Sequence, residues 1–374
     1  MAFVDLKRQY QRLEKEMNAA LAEVLRHCQF IMGPEIQKLE AELARRAGTK
    51  HAVVCASGTD ALLLPLLDQG LGPGQAVFTS PFTFIATAEV ISLLGATPVF
   101  VDIDPRTFNI DPNRLEEAVT KVARAGKLKP AAVIPVDLFG LPADYDPIMA
   151  LAQDHGLLVL EDAAQSFGGQ YKGRPVGGLG HVGATSFFPA KPLGCYGDGG
   201  AVFTNDDEQV TRLRSLRVHG QGRHKYENVR IGVNARLDTV QAAVLLVKLT
   251  VFEDEIAARQ SVAETYTRGL ERQVVTPSVP EGYSSAWAQY SVLTDRRDEV
   301  TAALNKKGVP TAVYYPIPLH LQPAFAALGY QRGDFPHSES AADRIFSLPM
   351  HPYLREDELD FIVRAVVQVA GERT

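Results

Sequence analysis

Apolar positions through about residue 240 follow two spacings, one typical of buried strands and one typical of helices. Short apolar runs predict strands, with the clearest at residues 76–79, 131–136 and 157–160. Between these runs, apolar residues recur at helical spacing, for example over residues 112–125 and 145–155. This alternation is typical of a mostly parallel sheet with helices on both faces, so we expect an α/β fold. The other strands predicted in this part cover residues 51–56, 97–101, 183–187 and 201–204.

The pattern changes near residue 250, where an apolar helix ends and a charged helix begins. We therefore expect a large domain over residues 1–250, which includes two N-terminal helices, and a smaller C-terminal α+β domain over residues 251–374. The elements predicted in the small domain are strands over 288–293 and 311–314 and helices over 300–307 and 356–369.

Composition narrows the class of protein without identifying it. A hydrophobic share of 46% and a charged share of 22% describe an ordinary globular protein. The net charge of −6 and the lack of a long basic run argue against a nucleic-acid partner. No apolar run has the length of a membrane span or the form of a signal peptide, so we expect a cytoplasmic protein. The three cysteines are too few and too scattered for a disulfide framework or a zinc site, and no metal is expected.

The candidate chemistry centres on one lysine and one aspartate. Lys191 stands in the run TSFFPAKPLGCYGDGGA, residues 185–201, between apolar residues and just before a glycine-rich turn. Asp162 ends the strand pattern of the run LLVLED, residues 157–162. Pyridoxal phosphate (PLP) needs such a pair, since a lysine holds its aldehyde as a Schiff base and a carboxylate pairs with its pyridine nitrogen. Apolar neighbours also lower the pKa of a lysine toward the neutral amine that a nucleophile requires.

Each of these residues also has an ordinary interpretation. Most lysines are surface residues, and an Asp after a strand is commonly a helix N-cap. The neighbouring Glu161 leaves open which carboxylate would face a ligand. The turn Ser57-Gly-Thr-Asp60 is either a simple capped helix start or a phosphate cradle, because free N–H groups at a helix N-terminus bind anions. The glycines at 70–74 and 177–180 lack the dinucleotide-binding spacing, so we exclude an NAD site.

The chain resembles the sugar aminotransferases of the DegT/DnrJ/EryC1/StrS family from FVDLK, residues 3–7, to SLPMHP, residues 347–352. Within that family it is most similar to the enzymes that aminate C3 of a UDP-2-acetamido-2-deoxy-3-oxo-glucuronic acid. This narrower likeness rests on RHCQFIMGP at 26–34, SFFPAKPLGCYGDGG at 186–200 and TAVYYPIPL at 311–319. The resemblance implies the PLP-dependent transferase fold type I and a lysine that, unlike the histidine of dehydratase relatives, supports transamination.

The resemblance also implies roles for individual residues around PLP. Lys191 becomes the catalytic Schiff-base residue. The other implied cofactor-binding residues are Gly58, Thr59 and Ser186 at the phosphate, Asp162 at the pyridine nitrogen, Gln165 near the 3-hydroxyl and Phe84 against the ring, with Phe82 as the alternative. Asn234 is expected to reach the PLP phosphate of a neighbouring subunit, so that a homodimer shares its active sites.

For the substrates, the resemblance places the segment Tyr314-Tyr315-Pro-Ile-Pro-Leu-His320 over a sugar nucleotide, although a packed turn is an equal alternative from the residues alone. Close relatives tend to carry His where this chain has Tyr314. Arg236 is a candidate cation, because the glutamate donor and a uronate acceptor both carry carboxylates. We therefore list Arg236, Tyr314, Tyr315 and His320 as substrate-binding candidates.

The expected function is transfer of an amino group from L-glutamate to C3 of UDP-2-acetamido-2-deoxy-3-oxo-D-glucuronate, for surface polysaccharide (O-antigen) biosynthesis. Two alternatives stay open at this point. The acceptor could be another nucleotide-linked keto-sugar, such as a 3-keto or 4-keto 6-deoxyhexose. Alternatively, the chain could be an inert PLP-fold binding protein.

Overall fold

The computed structural model describes residues 1–371, and a seven-stranded sheet lies at its centre. The strands are β1 (His51–Cys55), β2 (Gln75–Thr79), β3 (Thr97–Phe100), β4 (Lys129–Ile134), β5 (Leu158–Asp162), β6 (Gln170–Tyr171), β7 (Arg174–Pro175), β8 (Val182–Ser186), β9 (Gly200–Thr204), β10 (Tyr283–Ser284), β11 (Tyr290–Leu293) and β12 (Ile345–Leu348). The helices are α1 (Leu6–His27), α2 (Pro34–Ala47), α3 (Gly58–Asp68), α4 (Ala86–Leu93), α5 (Pro112–Ala125), α6 (Tyr145–His155), α7 (Asp207–Leu216), α8 (Thr239–Leu249), α9 (Phe252–Leu270), α10 (Arg297–Lys306), α11 (Pro336–Arg344) and α12 (Glu356–Gly371).

The strand order in the large sheet is β1-β9-β8-β5-β4-β2-β3. Only β9 runs antiparallel to its neighbours, and the remaining pairs are parallel. Most residues of these strands are buried, because helices cover both faces of the sheet. The predicted α/β class and mostly parallel sheet are therefore confirmed.

Local sequence explains where the covering helices begin and end. In α5, Pro112 occupies the first helical position and the Asp111 side chain accepts the N–H of Asn113. Its last turn ends at Gly126, which has a φ of +63°, a conformation that favours glycine. A proline at the start and a glycine after the end are the usual helix boundaries.

The smaller part of the molecule has its own core, drawn from residues between Val262 and Val369. β11 and β12 form an antiparallel pair inside it, and β10 instead pairs with the β6–β7 hairpin. The division of the chain at residue 250 stays a prediction. Within residues 1–371, no helix is both long and apolar enough to cross a membrane.

One predicted strand of the small domain is wrong. Residues 311–314 make only an isolated bridge, between Ala312 and Ser347, and the strand that pairs with β11 is β12. Pro310 and Pro316 flank the predicted segment and lack the N–H that a ladder needs, which limits any longer pairing.

Candidate active site

Segments that carry predicted site residues meet at the carboxyl edge of the large sheet. β5 ends at Asp162 and the parallel β8 ends at Ser186. The end of β1 lies close to the end of β8, because Cys55 and Ser186 both pair with Gly200 of β9. The turn after β1 therefore starts α3 close to Ser186. The crevice outside the carboxyl ends of such strands is where open α/β sheets bind ligands.

Asp162 is 4% exposed, and two donors hold its carboxylate. The Thr87 hydroxyl donates to Oδ2 at 2.8 Å, and the Ala164 N–H donates to Oδ1 at 3.2 Å. Burial raises the pKa of Asp162, while these two hydrogen bonds and the charge of Lys191 oppose that shift. β5 is followed by turns rather than by a helix, so the alternative of a helix N-cap is excluded.

The neighbouring Glu161 has a different role. Successive strand residues point to opposite faces of a sheet, so Glu161 and Asp162 cannot serve one site. The Glu161 carboxylate accepts the N–H groups of Gly177 at 2.5 Å and Leu179 at 2.7 Å. Glu161 therefore orders the glycine-rich turn before β8, which removes the ambiguity between the two carboxylates.

Lys191 lies in the loop after β8, where its own N–H donates to the carbonyl of Phe188 at 2.9 Å. Burial lowers the pKa of Lys191 to about 8, and the charge of Asp162 opposes this shift. At pH 7 roughly a tenth of such an amine is neutral, the form that attacks an aldehyde. Because each charge acts on the other group, Lys191 and Asp162 belong to one site.

The start of α3 has the form of an anion cradle. Ser57 Oγ accepts the N–H of Asp60 at 3.0 Å and donates to the Asp60 carboxylate at 2.9 Å. The amides of Gly58 and Thr59 have no acceptor within the helix, as in any first helical turn. A Cβ at Gly58 would lie 2.7 Å from the Cβ of Ser186, so only glycine permits this approach. These amides and the Ser186 hydroxyl suit a phosphate.

Gln165 and Tyr315 connect the edge of the sheet to the segment after residue 310. Gln165 Oε1 accepts the N–H of Phe139 at 2.8 Å, and its Nε2 donates to the Tyr315 hydroxyl at 3.2 Å. Burial raises the pKa of Tyr315, so this phenol stays protonated near neutral pH. The two hydrogen bonds fix the orientation of the Gln165 amide.

The two candidate stacking residues differ in exposure. Phe84 is 54% exposed, and its ring centroid lies 6.4 Å from that of Tyr315. Phe82 is buried and packs against Phe108 and Phe139. Of the two, Phe84 is the side chain open to a planar ligand.

Comparison with known proteins identifies the family of this arrangement. The model of the DegT/DnrJ/EryC1/StrS aminotransferase family matches residues 11–367. The chain belongs to this family. A relative from Pseudomonas aeruginosa, named UDP-2-acetamido-2-deoxy-3-oxo-D-glucuronate aminotransferase, is 50% identical over 97% of this chain and 99% of its own. A relative from Geobacillus stearothermophilus, named pleiotropic regulatory protein, is 46% identical over 98% and 97%.

The fold agrees with solved members of the family. The crystal structure of a DegT/DnrJ/EryC1/StrS aminotransferase from Brucella abortus matches with a TM-score of 0.97 and 50% identity, covering 100% of both chains. Matching structures also include forms with PLP and with pyridoxamine phosphate (PMP) bound. The predicted fold type I and the family resemblance are therefore confirmed.

The site fits the PLP that this family uses. The approach of Gly58 to Ser186 leaves backbone amides for a phosphate. The buried Asp162 carboxylate suits a protonated ring nitrogen, and the low pKa of Lys191 suits bond formation with an aldehyde.

Asn234 and Arg236, two of the predicted site residues, lie on one segment. None of the strand ends described above places this segment beside Lys191. Asn234 is exposed and forms a bridge with Val218, so it faces away from the core. Arg236 borders a cavity that Ser57 and Asp60 also line, close to the start of α3. Arg236 therefore lies within reach of the anion cradle, whereas Asn234 is directed outward.

The structure separates the three residues predicted in the 314–320 segment. Tyr315 joins the site through its hydrogen bond with Gln165. The centroid of the Tyr314 ring lies 6.3 Å from that of Phe3 and 5.9 Å from that of Tyr315. His320 is only 2% exposed and its Nε2 lies 3.0 Å from Glu339. His320 is therefore a core residue here, and the structure does not bring it to Lys191.

One residue that acts on the site escaped the sequence analysis. Thr87, in the first turn of α4, orients Asp162, and the hydroxyl of Thr83 lies 3.3 Å from that of Thr87. Thr83 precedes α4, so no helical face joins the two threonines. Nothing local links Thr87 to Asp162 either, since 75 residues separate them.

Proposed function

We propose that this protein is a PLP-dependent aminotransferase that moves an amino group from L-glutamate to C3 of UDP-2-acetamido-2-deoxy-3-oxo-D-glucuronate. The observation that carries the reaction type is the joint environment of Lys191 and Asp162 beside the Gly58–Ser186 cradle. The choice of acceptor is supported by the relative from Pseudomonas aeruginosa, whose name gives that substrate and which matches along nearly the whole chain. The intact lysine and aspartate argue against an inert binding protein.

When bound, PLP supplies an aldehyde that exchanges amino groups and a ring that stabilises negative charge at the carbon losing its proton. Asp162 keeps the ring nitrogen protonated, helped by the hydrogen bonds from Thr87 and Ala164 that favour its ionised form. Lys191 Nζ would take the proton from the α-carbon of the donor and return it to the carbon that PLP presents as its aldehyde, within the first half of the reaction. For the acceptor, the same amine moves a proton in the opposite direction.

The order of binding provides the test of the acceptor. Donor and acceptor use one site in turn, so steady-state kinetics should be ping-pong. We expect the PMP-loaded protein to regain the PLP absorbance fastest with the UDP-linked 3-oxo-glucuronate. Nucleotide-linked 3-keto and 4-keto 6-deoxyhexoses are the matched comparison, since they lack the carboxylate at C6. Faster recovery with a 6-deoxyhexose would overturn the proposed acceptor and keep the aminotransferase.

Exposed apolar residues around Asn234 support a homodimer that shares its active sites. Tyr226 and Ile231, in the loop just before Asn234, are 88% and 91% exposed. Beyond it, Ile31 pairs with Asp238, and residues 30–32 are exposed and apolar. Exposed apolar patches of this kind mark interaction surfaces. When a second copy of the chain covers this surface, Asn234 of one copy would approach the phosphate cradle of the other.

We expect Lys191→Ala and Asn234→Asp, each inactive alone, to restore activity when the two variants are mixed and allowed to exchange subunits. A mixed dimer carries both defects in one site and leaves its other site intact. Random mixing gives about half mixed dimers, and thus roughly a quarter of wild-type activity by symmetry. The control is residual activity of the Asn234 variant alone, which must be low. An absence of recovery after verified exchange would mean that Asn234 does not serve the partner's site.

A further inference from the structure

A small cavity lies beside Lys191, and neither the cofactor site nor the apolar surface around Asn234 includes it. It encloses about 260 Å³ not filled by protein atoms, a volume that includes solvent at its mouth. Its walls come from parts of the chain that are distant in sequence: the N-terminal residues 4–6 and Gln9, the loop that carries Lys191, Arg259 of α9, and residues 351–353. A group bound there would lie next to the reactive lysine.

One edge of the Arg259 guanidinium has few hydrogen-bond partners in the protein. The residue is 3% exposed. Its Nη1 donates to the carbonyls of Trp287 at 2.9 Å and Met350 at 3.3 Å. Its Nε is buried and has no hydrogen-bond partner within residues 1–371. The Nε edge is the one that binds a carboxylate side-on, and a buried unpaired donor costs free energy unless a ligand satisfies it.

His351 adds a second donor to the same cavity. Its Nδ1 accepts the N–H of Tyr353 at 3.3 Å, which assigns the proton of the neutral ring to Nε2. Burial and the charge of Arg259 lower the pKa of His351 to about 4, so the ring is neutral at pH 7. Arg259 keeps its charge there, because burial lowers its pKa only to about 10.

The protein's own carboxylates around this cavity already have donors. Glu255 accepts both hydrogen bonds of Gln9 Nε2 at 3.0 Å and the hydroxyl of Tyr353. Asp5 accepts the N–H of Arg8 at 3.0 Å and pairs with its side chain at 3.2 Å. Neither forms an ion pair with Arg259, so a carboxylate from outside the chain is the complementary group.

We propose that Arg259 and His351 bind a carboxylate of the amino donor, an inference that rests on the proposed aminotransferase function. The cavity is small and opens beside Lys191, so it suits the carboxylate group of an amino acid or of its 2-oxo acid rather than a whole nucleotide sugar. A uronate carboxylate is instead fixed to a pyranose ring that also carries a nucleotide, so it is the bulkier of the two carboxylate sources. The two carboxylate sources act in different half-reactions, so they can be tested separately.

Arg259→Lys keeps the charge and loses the planar edge. In single turnovers read from the cofactor absorbance, we expect the second-order rate constant for L-glutamate to fall roughly 10- to 100-fold. Re-oxidation of the PMP-loaded variant by the keto-sugar nucleotide should stay within about twofold of wild type. Glutarate should compete with L-glutamate for the wild type and compete more weakly for the variant.

Arg217→Lys is the matched control. Arg217 is also buried, also bonds a backbone carbonyl through Nη1 and also has an Nε without a partner, but it pairs with Glu40 away from the cavity. A structural loss would appear in both variants and in both half-reactions. An unchanged donor half-reaction in Arg259→Lys, or equal loss in both half-reactions, would overturn the proposal. Loss confined to the keto-sugar step would assign the cavity to the uronate instead.

A second variant keeps the test readable if Arg259→Lys fails to fold. His351→Ala removes the Nε2 donor, and we expect about a tenfold loss in the donor step alone. An unchanged donor step would contradict the proposed role of the cavity. The donor arm needs no sugar, so failure of the proposed acceptor leaves it intact. A wild-type protein that does not react with any amino acid would instead contradict the proposed function.

Discussion

Lys191→Ala should bind PLP and show no measurable transamination. The cradle of Gly58, Thr59 and Ser186 and the carboxylate of Asp162 remain in this variant, so the cofactor keeps its non-covalent contacts. Without the Lys191 amine, the site lacks the group that captures the aldehyde and moves the proton at the donor's α-carbon. The measurement is steady-state amino transfer, with bound cofactor quantified after denaturation.

Lys248→Met is the control for this first prediction. Burial lowers the pKa of Lys248 to about 8, the same value as that of Lys191, and its Nζ lies 4.3 Å from the centroid of the Tyr196 ring. A low pKa alone would therefore not choose between the two lysines. Lys248→Met should retain transamination, and borohydride should fix the cofactor on Lys191 in this variant. Full activity in Lys191→Ala would remove the central residue of the site.

Asp162→Asn should keep PLP but lower kcat roughly 100- to 1,000-fold, with a smaller change in substrate KM. An amide cannot hold a proton on the ring nitrogen by charge, so negative charge at the reacting carbon is less stabilised. The fold should tolerate the change, because the Thr87 hydroxyl can accept from Nδ2 while Oδ1 keeps the Ala164 N–H. Steady-state kinetics gives kcat and KM, and single-turnover kinetics gives the rate of each half-reaction.

Glu161→Gln is the matched control for the aspartate, because it changes the adjacent carboxylate on the opposite face. It should lower thermal stability, since Glu161 accepts several amides of the turn before β8. Its kcat per bound cofactor should resemble that of wild type. If the kcat of Asp162→Asn is within a few-fold of the wild-type value, the reaction does not use the charge of Asp162, and the residue loses its assigned role.

The sequence predicted the elements with strong local signals. The apolar runs that became β2, β4 and β5 are bounded by glycine, proline or polar residues, and the strand-end position of Asp162 follows from the last of them. By contrast, β12 is a four-residue run without alternation, and its pairing with β11 depends on a partner more than fifty residues away. The antiparallel direction of β9 depends likewise on contacts that no local pattern records.

The same contrast holds for the site. Lys191 and the α3 turn lie in distinctive local sequences, and their joint environment supports the roles predicted for them. Thr87 and Arg259 act through contacts across the fold, at positions where a threonine or arginine in a helix is ordinary. His320 lies in a segment with site residues, yet its ring points toward Glu339. There the ring is buried against Phe335 and its Nε2 lies within hydrogen-bond distance of the Glu339 carboxylate. Sequence proximity to Tyr315 could not predict that direction.

Transfer of labelled nitrogen from donor to sugar would show the reaction and its acceptor in one measurement. The purified protein is incubated with L-[¹⁵N]glutamate and UDP-2-acetamido-2-deoxy-3-oxo-D-glucuronate, and the nucleotide sugar is examined by NMR and mass spectrometry. We predict ¹⁵N bonded to C3 of the sugar and an equal amount of 2-oxoglutarate, with both products absent for Lys191→Ala. A sugar without label, or release of 2-oxoglutarate with no aminated sugar, would contradict it.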